Sequence, residues 1–245
     1  MLDLVGAFAL GVICVADAVV LIGLARISRN ARLAAFAIAG AWTTLIVAIA
    51  ASGGFETGTT GPFPAPVIAF LILLISGFAA WFGSPAFRAA FHSVPLAGLV
   101  GIHAFRILAI MFLLLHSSGR LANPFAAYAG WGDIITGVVA IALAFMLASG
   151  GRLPRGLLIG WNLFGALDLF DAIALGALSA PGTPFQLFTN APGTVAMGTL
   201  PWVAVPALLV PLYLLTHFEI AVRLRAAGAE QASTPRQPDT RPQAA

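Results

Sequence analysis

Arg106 follows His103 by three residues inside the apolar run Val94–His116. A guanidinium stays charged at any workable pH, so an Arg near the middle of a bilayer helix needs an internal counter-charge or water. Other apolar runs supply Asp17, Asp133, Asp168 and Asp171. If all four ionise beside one Arg, negative charge is in surplus, and buried surplus is relieved by bound protons, water or a cation. Those outcomes suit a proton relay or a binding cavity. The plainer alternative is a packing network, with Arg106 neutralised by Asp168 and with His103, Asn162 and Thr136 satisfying their neighbours.

Spacing groups these residues. His103 and Arg106, three apart, share a helix face, and Gly98 and Gly101 below them allow close helix approach. Asp133 precedes Thr136 by three and Gly137 by four, a small polar stripe. Asp168 and Asp171 are again three apart, with Asn162 well round the same helix from Asp171. Gly156 and Gly160 form a small-xxx-small pair that suits helix contact. At a rise of ~1.5 Å per residue, Arg106 and Asp168 both come roughly 16 Å from the cytoplasmic helix ends. Asp171 comes at roughly 21 Å, Asp133 at roughly 24 Å, and Asp17 and His103 near 12 Å. Arg106 with Asp168 is the best level match. The candidates for ligand or proton binding are therefore His103, Arg106, Asp133, Asp168 and Asp171, with Asp17 and Asn162 behind them.

The elements that must position them are membrane-length. Hydrophobic residues make up 60% of the 245 and charged residues 9%, against about 25% charged in soluble domains. Lipid is the solvent such a chain requires. Seven runs approach the ~20 residues a spanning helix needs: Leu4–Ala25, Leu33–Ala51, Pro66–Phe82, Val94–His116, Phe125–Ala148, Gly156–Leu178 and Thr199–Val222. They are continuously apolar, without the alternation of barrel strands. Gly, Pro and polar clusters such as SGGFETGTTGPFP, GSPAFR and SAPGTPFQLFTNAPGT separate them. The first run lacks a basic leader and a cleavage site, so it reads as a retained helix. The expected class is all-α, a polytopic bundle of seven transmembrane helices over residues 1–228. A disordered cytoplasmic tail over 229–245 is expected to follow.

All twelve basic residues are Arg. Arg26, Arg29, Arg32, Arg88, Arg152, Arg155, Arg223 and Arg225 fall in loops on one side, and Arg120 alone on the other. Basic loops favour the cytoplasm, which places the N-terminus outside and the C-terminus inside. The charge therefore orients the chain in a bilayer and implies no nucleic-acid partner.

Several chemistries lack their residues. There is no Lys for a retinal Schiff base or a Walker loop, and neither HExxH nor GxSxG occurs. The single Cys14 excludes an intramolecular disulfide and a cysteine-based zinc site. His92, His103, His116 and His217 contain no H-x-x-x-H pair. His103 and His217 reach a common depth that haem would require, but a hydrogen-bonded core histidine is the commoner fate. No catalytic residue, metal or cofactor is assigned. Pro201, Pro206 and Pro211 are expected to bend the seventh run, Glu219 and Arg223 to form a surface pair, and the tryptophans to anchor at interfaces.

The segments His103-x-x-Arg106, Gly119-Arg120-Leu121, Gly130-Trp131-Gly132-Asp133 with Gly137, and Trp161-Asn162 with Gly165 and Asp168 resemble uncharacterised multi-pass bacterial inner-membrane proteins. The stretch from Pro201 through Pro206 and Pro211 to His217 is similar too. The resemblance implies a compact helical bundle in the inner membrane and carries over no catalytic residue. The expected function is a small proton-linked transporter with a polar site between the fourth, fifth and sixth helices. The alternative is a ligand-sensing or accessory membrane subunit with a structural polar network. The expected partners are the lipid bilayer and an unknown small molecule or ion, with self-association left open.

Overall fold

The computed structural model describes residues 1–56, 58–151 and 153–233. Among them, seven helices are long and apolar enough to cross a membrane: α1 (Leu2–Gly23), α2 (Arg29–Ala51), α3 (Ala65–Gly83), α5 (Leu96–Ser117), α6 (Phe125–Ala148), α7 (Arg155–Leu178) and α8, apolar over Val205–Gly228. Even the 19-residue α3 reaches ~29 Å, about the thickness of a hydrocarbon core. The short helix α4 (Pro85–His92) stands where GSPAFR was expected to be only a connection. Ser84 caps it by accepting from the Phe87 amide at 3.2 Å, and Pro85 supplies the fixed φ of a first helical turn.

Hydrogen bonds trace the two ends of the bundle. At one end Arg120 and Trp202 both donate to Asp3 Oδ1, at 2.9 and 2.8 Å. At the other, Arg155 Nε donates to the Leu224 carbonyl at 2.9 Å and Arg223 to the carbonyls of Phe91 and Val94. Arg26, Arg29, Arg32, Arg88 and Arg225 belong to this second, arginine-rich end.

Burial identifies the centre. Of the apolar window of α8, 67% is buried, against 50% for α5 and 6% for α2. The described bundle is therefore built around α5 and α8, with α2 on its rim. Both central helices are irregular. In α5, a 3-10 stretch over Ile102–Ala109 replaces the α-turns. Three residues per turn eclipse side chains at i and i+3, so His103, Arg106 and Ala109 line up on one buried edge. The close partner is Gly137 of α6, where an added Cβ would come within 2.7 Å of the Ile107 amide nitrogen.

Helix α8 departs from the expected seventh run at both ends. Thr199–Val203 form turns, a π-helical turn spans Val205–Leu209, and regular helix continues over Val210–Ser233. Pro201 thus precedes the helix and does not bend it, while Pro206 sits in the π turn. The remaining residues of the expected tail, 234–245, lie outside the described residues, as does Arg152.

Candidate functional site

Four helices supply one buried network. Arg106 projects from the 3-10 edge of α5, 4% exposed. Its Nε donates to Asp133 Oδ1 of α6 at 2.5 Å, and its Nη2 pairs with Asp168 Oδ2 of α7. Nη1 donates to the Gly165 carbonyl and to His217 Nε2 of α8, each at 3.1 Å. The expected Arg106–Asp168 pair is present, and Asp133 shares the same guanidinium.

Missing side chains create the space. A Cβ on Gly132 of α6 would coincide with the Asp168 carboxylate, and one on Gly165 would lie 2.7 Å from the His217 ring and 2.8 Å from Thr136. Gly132 therefore lets Asp168 cross α6 to reach Arg106, and Gly165 lets His217 enter between α6 and α7. The buried face of α6, from Ala129 and Gly130 through Asp133, Thr136 and Gly137 to Ala140, is a stripe of small residues broken by one acid.

Hydrogen-bond bookkeeping fixes the histidine tautomers. Asn162 Nδ2 donates to the His217 carbonyl at 3.1 Å, so its Oδ1 accepts from His217 Nδ1 at 2.9 Å. With hydrogen on Nδ1, His217 Nε2 offers its lone pair to Arg106. Thr216 gives its hydroxyl proton to the Tyr213 carbonyl at 2.8 Å and so accepts from His103 Nε2 at 3.0 Å. His103 Nδ1 is then a bare base, fully buried and without a protein partner. The two imidazoles stack with centroids 4.1 Å apart, and Trp161 packs edge-on against His103 while donating to the Thr136 carbonyl at 3.1 Å. This spacing, with both Nε2 atoms engaged by side chains, does not leave room for a haem iron between the rings. No cluster of three or more His, Cys, Asp or Glu able to hold a metal occurs among the described residues.

The other expected residues are placed apart. Asp171 is exposed on a groove between α6 and α7 with Tyr128, Trp131 and Phe164, one turn beyond Asp168, and is not brought into the network. Asp17 of α1 is 1% exposed, and neither carboxylate oxygen has a hydrogen-bond partner; the Tyr213 hydroxyl lies beside it, short of good hydrogen-bond geometry. His217 of α8 thus extends the site beyond the three helices expected to form it.

Among the described residues, four recesses border the network: one beside α1 touches Arg106 and Asp133, the α6–α7 groove touches Asp168, and the two openings that follow lie towards opposite ends. A cavity of about 820 Å³, counting its mouth, opens between the loops at the Asp3 end. Phe55, Phe63, Phe112 and Phe125 wall it, and it descends to Asp133. A lateral groove of about 1170 Å³ between α3, α7 and α8 opens in the arginine-rich half and reaches Asn162 and His217.

A second polar centre was not anticipated. Glu219 is fully buried and accepts from Trp81 Nε1 at 3.1 Å and Arg223 Nε at 2.8 Å, and it contacts His92 Nδ1 at 2.7 Å. The expected surface pair of Glu219 with Arg223 is instead a buried junction of α3, α4 and α8. Trp161 and Trp202, 5% and 2% exposed, likewise belong to the core and not to an interfacial belt.

These features define an all-α chain with seven potential membrane spans and one shared buried ion-pair network. A family described as a domain of unknown function, DUF8737, matches residues 62–225, and the chain belongs to that family. The matched stretch contains Arg106, Asp133, Asp168 and His217, and leaves Asp17 outside it. No curated protein and no solved structure is detectably similar.

Proposed function

We propose that the protein is a small proton-linked transporter of the bacterial inner membrane, with its N-terminus outside and its C-terminus in the cytoplasm. The observation that carries the reading is the continuity of one buried chain between two openings. The cavity at the Asp3 end stops on Asp133; hydrogen bonds then run through Arg106 to His217 and Asn162, where the lateral groove begins. A network used only for packing has no need of access from both halves.

The two carboxylates supply a means of exchange. Arg106 needs one counter-charge, and Asp133 and Asp168 offer two. A proton or small cation taken up at Asp133 leaves Arg106 compensated by Asp168, so the buried guanidinium is never left unpaired. The exchangeable charge is then the acid that faces the cavity.

Reconstituted vesicles containing a pH-sensitive dye test this reading under an imposed membrane potential and gradients of candidate small molecules. Wild type is expected to move protons and Asp133→Asn to lose that flux. If wild type and Asp133→Asn vesicles stay equally silent for every gradient, the transporter reading fails. The saturation of Arg106 by four partners favours a second reading in that case, a sensing or accessory subunit whose network holds the helices together.

A further inference from the structure

We propose that the lateral groove between α3, α7 and α8 is a binding site for an anionic phospholipid. This inference does not rest on the transport reading; a lipid seated in the groove occupies the opening which that reading uses for access, so the two claims are tested separately. Phe78, Ile159, Leu163, Phe170, Leu214 and Phe218 form its apolar wall. From Arg155 to Phe170 the groove follows fifteen residues of α7, ~22 Å at the helical rise. That exceeds the ~15 Å depth of one hydrocarbon leaflet, so the recess accommodates a full acyl chain.

Charge selects the head. Arg155, at the start of α7, and Arg225, in the last turns of α8, line the same end of the groove. Neither is in an ion pair among the described residues. Glu219, a nearby acid of α8, is already engaged by Arg223, His92 and Trp81. Two cationic heads above an apolar trough complement a phosphodiester carrying acyl chains, because basic pockets at helix ends attract anionic head groups. A recess also distinguishes this surface from ordinary lipid contact: its floor reaches Asn162 and His217, 7% and 1% exposed. The acyl chain covers those polar side chains from the bilayer.

Native mass spectrometry of the full chain in detergent, titrated with phosphatidylglycerol or phosphatidylcholine of matched chains, tests the site. Two arginines near the head predict roughly a 30-fold preference for phosphatidylglycerol. The double variant Arg155→Gln/Arg225→Gln should lose that preference while still binding both lipids weakly. Ala166→Trp, which fills the trough without touching charge, should weaken both lipids. Glycerol 3-phosphate, the head without chains, should not displace phosphatidylglycerol. Equal binding of the two lipids by wild type overturns the proposal. So does a preference that survives the double variant, or phosphatidylglycerol binding unaltered by Ala166→Trp in protein that remains monodisperse.

Discussion

Arg106 Nη1 donates to His217 Nε2 at 3.1 Å, which makes the histidine an acceptor towards the guanidinium. A protonated His217 would set a donor against a donor. His217 must therefore be neutral with hydrogen on Nδ1, whereas His103 is neutral with hydrogen on Nε2. Nitrogen-15 spectra of histidine-labelled protein should resolve two opposite neutral tautomers at neutral pH. Assignment by His103→Gln and His217→Gln completes the measurement, and a doubly protonated ring at either position contradicts the network.

Gly132 predicts the cost of disturbing the ion pair. Gly132→Ala places a methyl group where the Asp168 carboxylate lies, so it should destabilise the protein much as Asp168→Asn does. Asp133 still compensates Arg106 in either variant, so the expected loss is that of one charge-assisted hydrogen bond, roughly 1.5–3 kcal/mol. Replacing Arg106, Asp133 and Asp168 together with apolar residues of similar volume should recover much of that loss, because no buried charge then remains. Melting in detergent separates the cases; a Gly132→Ala protein as stable as wild type would mean that Asp168 does not cross α6.

Orientation is open to direct labelling. With Cys14→Ala removing the native thiol, a cysteine at Gly58 should react with an impermeant reagent in intact cells. One at Ser149 should be protected until the membrane is opened. The reverse pattern would invert the proposed topology.

The sequence made the spans legible because lipid demands long uninterrupted apolar runs; Phe125–Ala148 is the same in the expected runs and in α6. Depth was less legible, for two physical reasons. A 3-10 stretch rises ~2.0 Å per residue against ~1.5 Å in an α-helix, which lifts Arg106 by a few Å towards Asp133. The arginines at 223 and 225 suggested that the seventh helix ended at Val222, yet the helix continues past them to Ser233. With an end at Val222, His217 would stand only ~8 Å deep, whereas it lies in the network with Arg106. Gly132 and Gly165 carried no signal of their own, since only the folded neighbours show what each glycine admits.

Glu219 should behave as a junction and not as a surface residue. Glu219→Ala leaves Arg223, His92 and Trp81 without their shared acceptor, and Arg223 keeps only the carbonyls of Phe91 and Val94. Loss of roughly 3–5 kcal/mol is expected, together with loosening of α4, read as faster proteolysis at Arg88. A surface pair four residues apart would cost only about 0.2–0.5 kcal/mol, so the size of the effect decides between the two placements.

Asp17 is the sharpest electrostatic case, because no charge compensates it. Both carboxylate oxygens are buried without partners, and Tyr213 beside them carries a neutral hydroxyl. Arg106 is spent on Asp133 and Asp168. An isolated carboxylate in such surroundings costs far more than folding supplies, so the group stays neutral by keeping its proton. Asp17→Asn then replaces one neutral group with another of the same shape, so any loss should stay well below the roughly 3–5 kcal/mol of a broken buried charge pair. Infrared spectra at neutral pH should show a protonated-carboxyl band that Asp17→Asn removes and Asp133→Asn leaves. If Asp17→Asn instead melts several kcal/mol earlier and the band is untouched, Asp17 is ionised in the wild type. A bound cation, detectable as sodium-dependent melting, would then hold it.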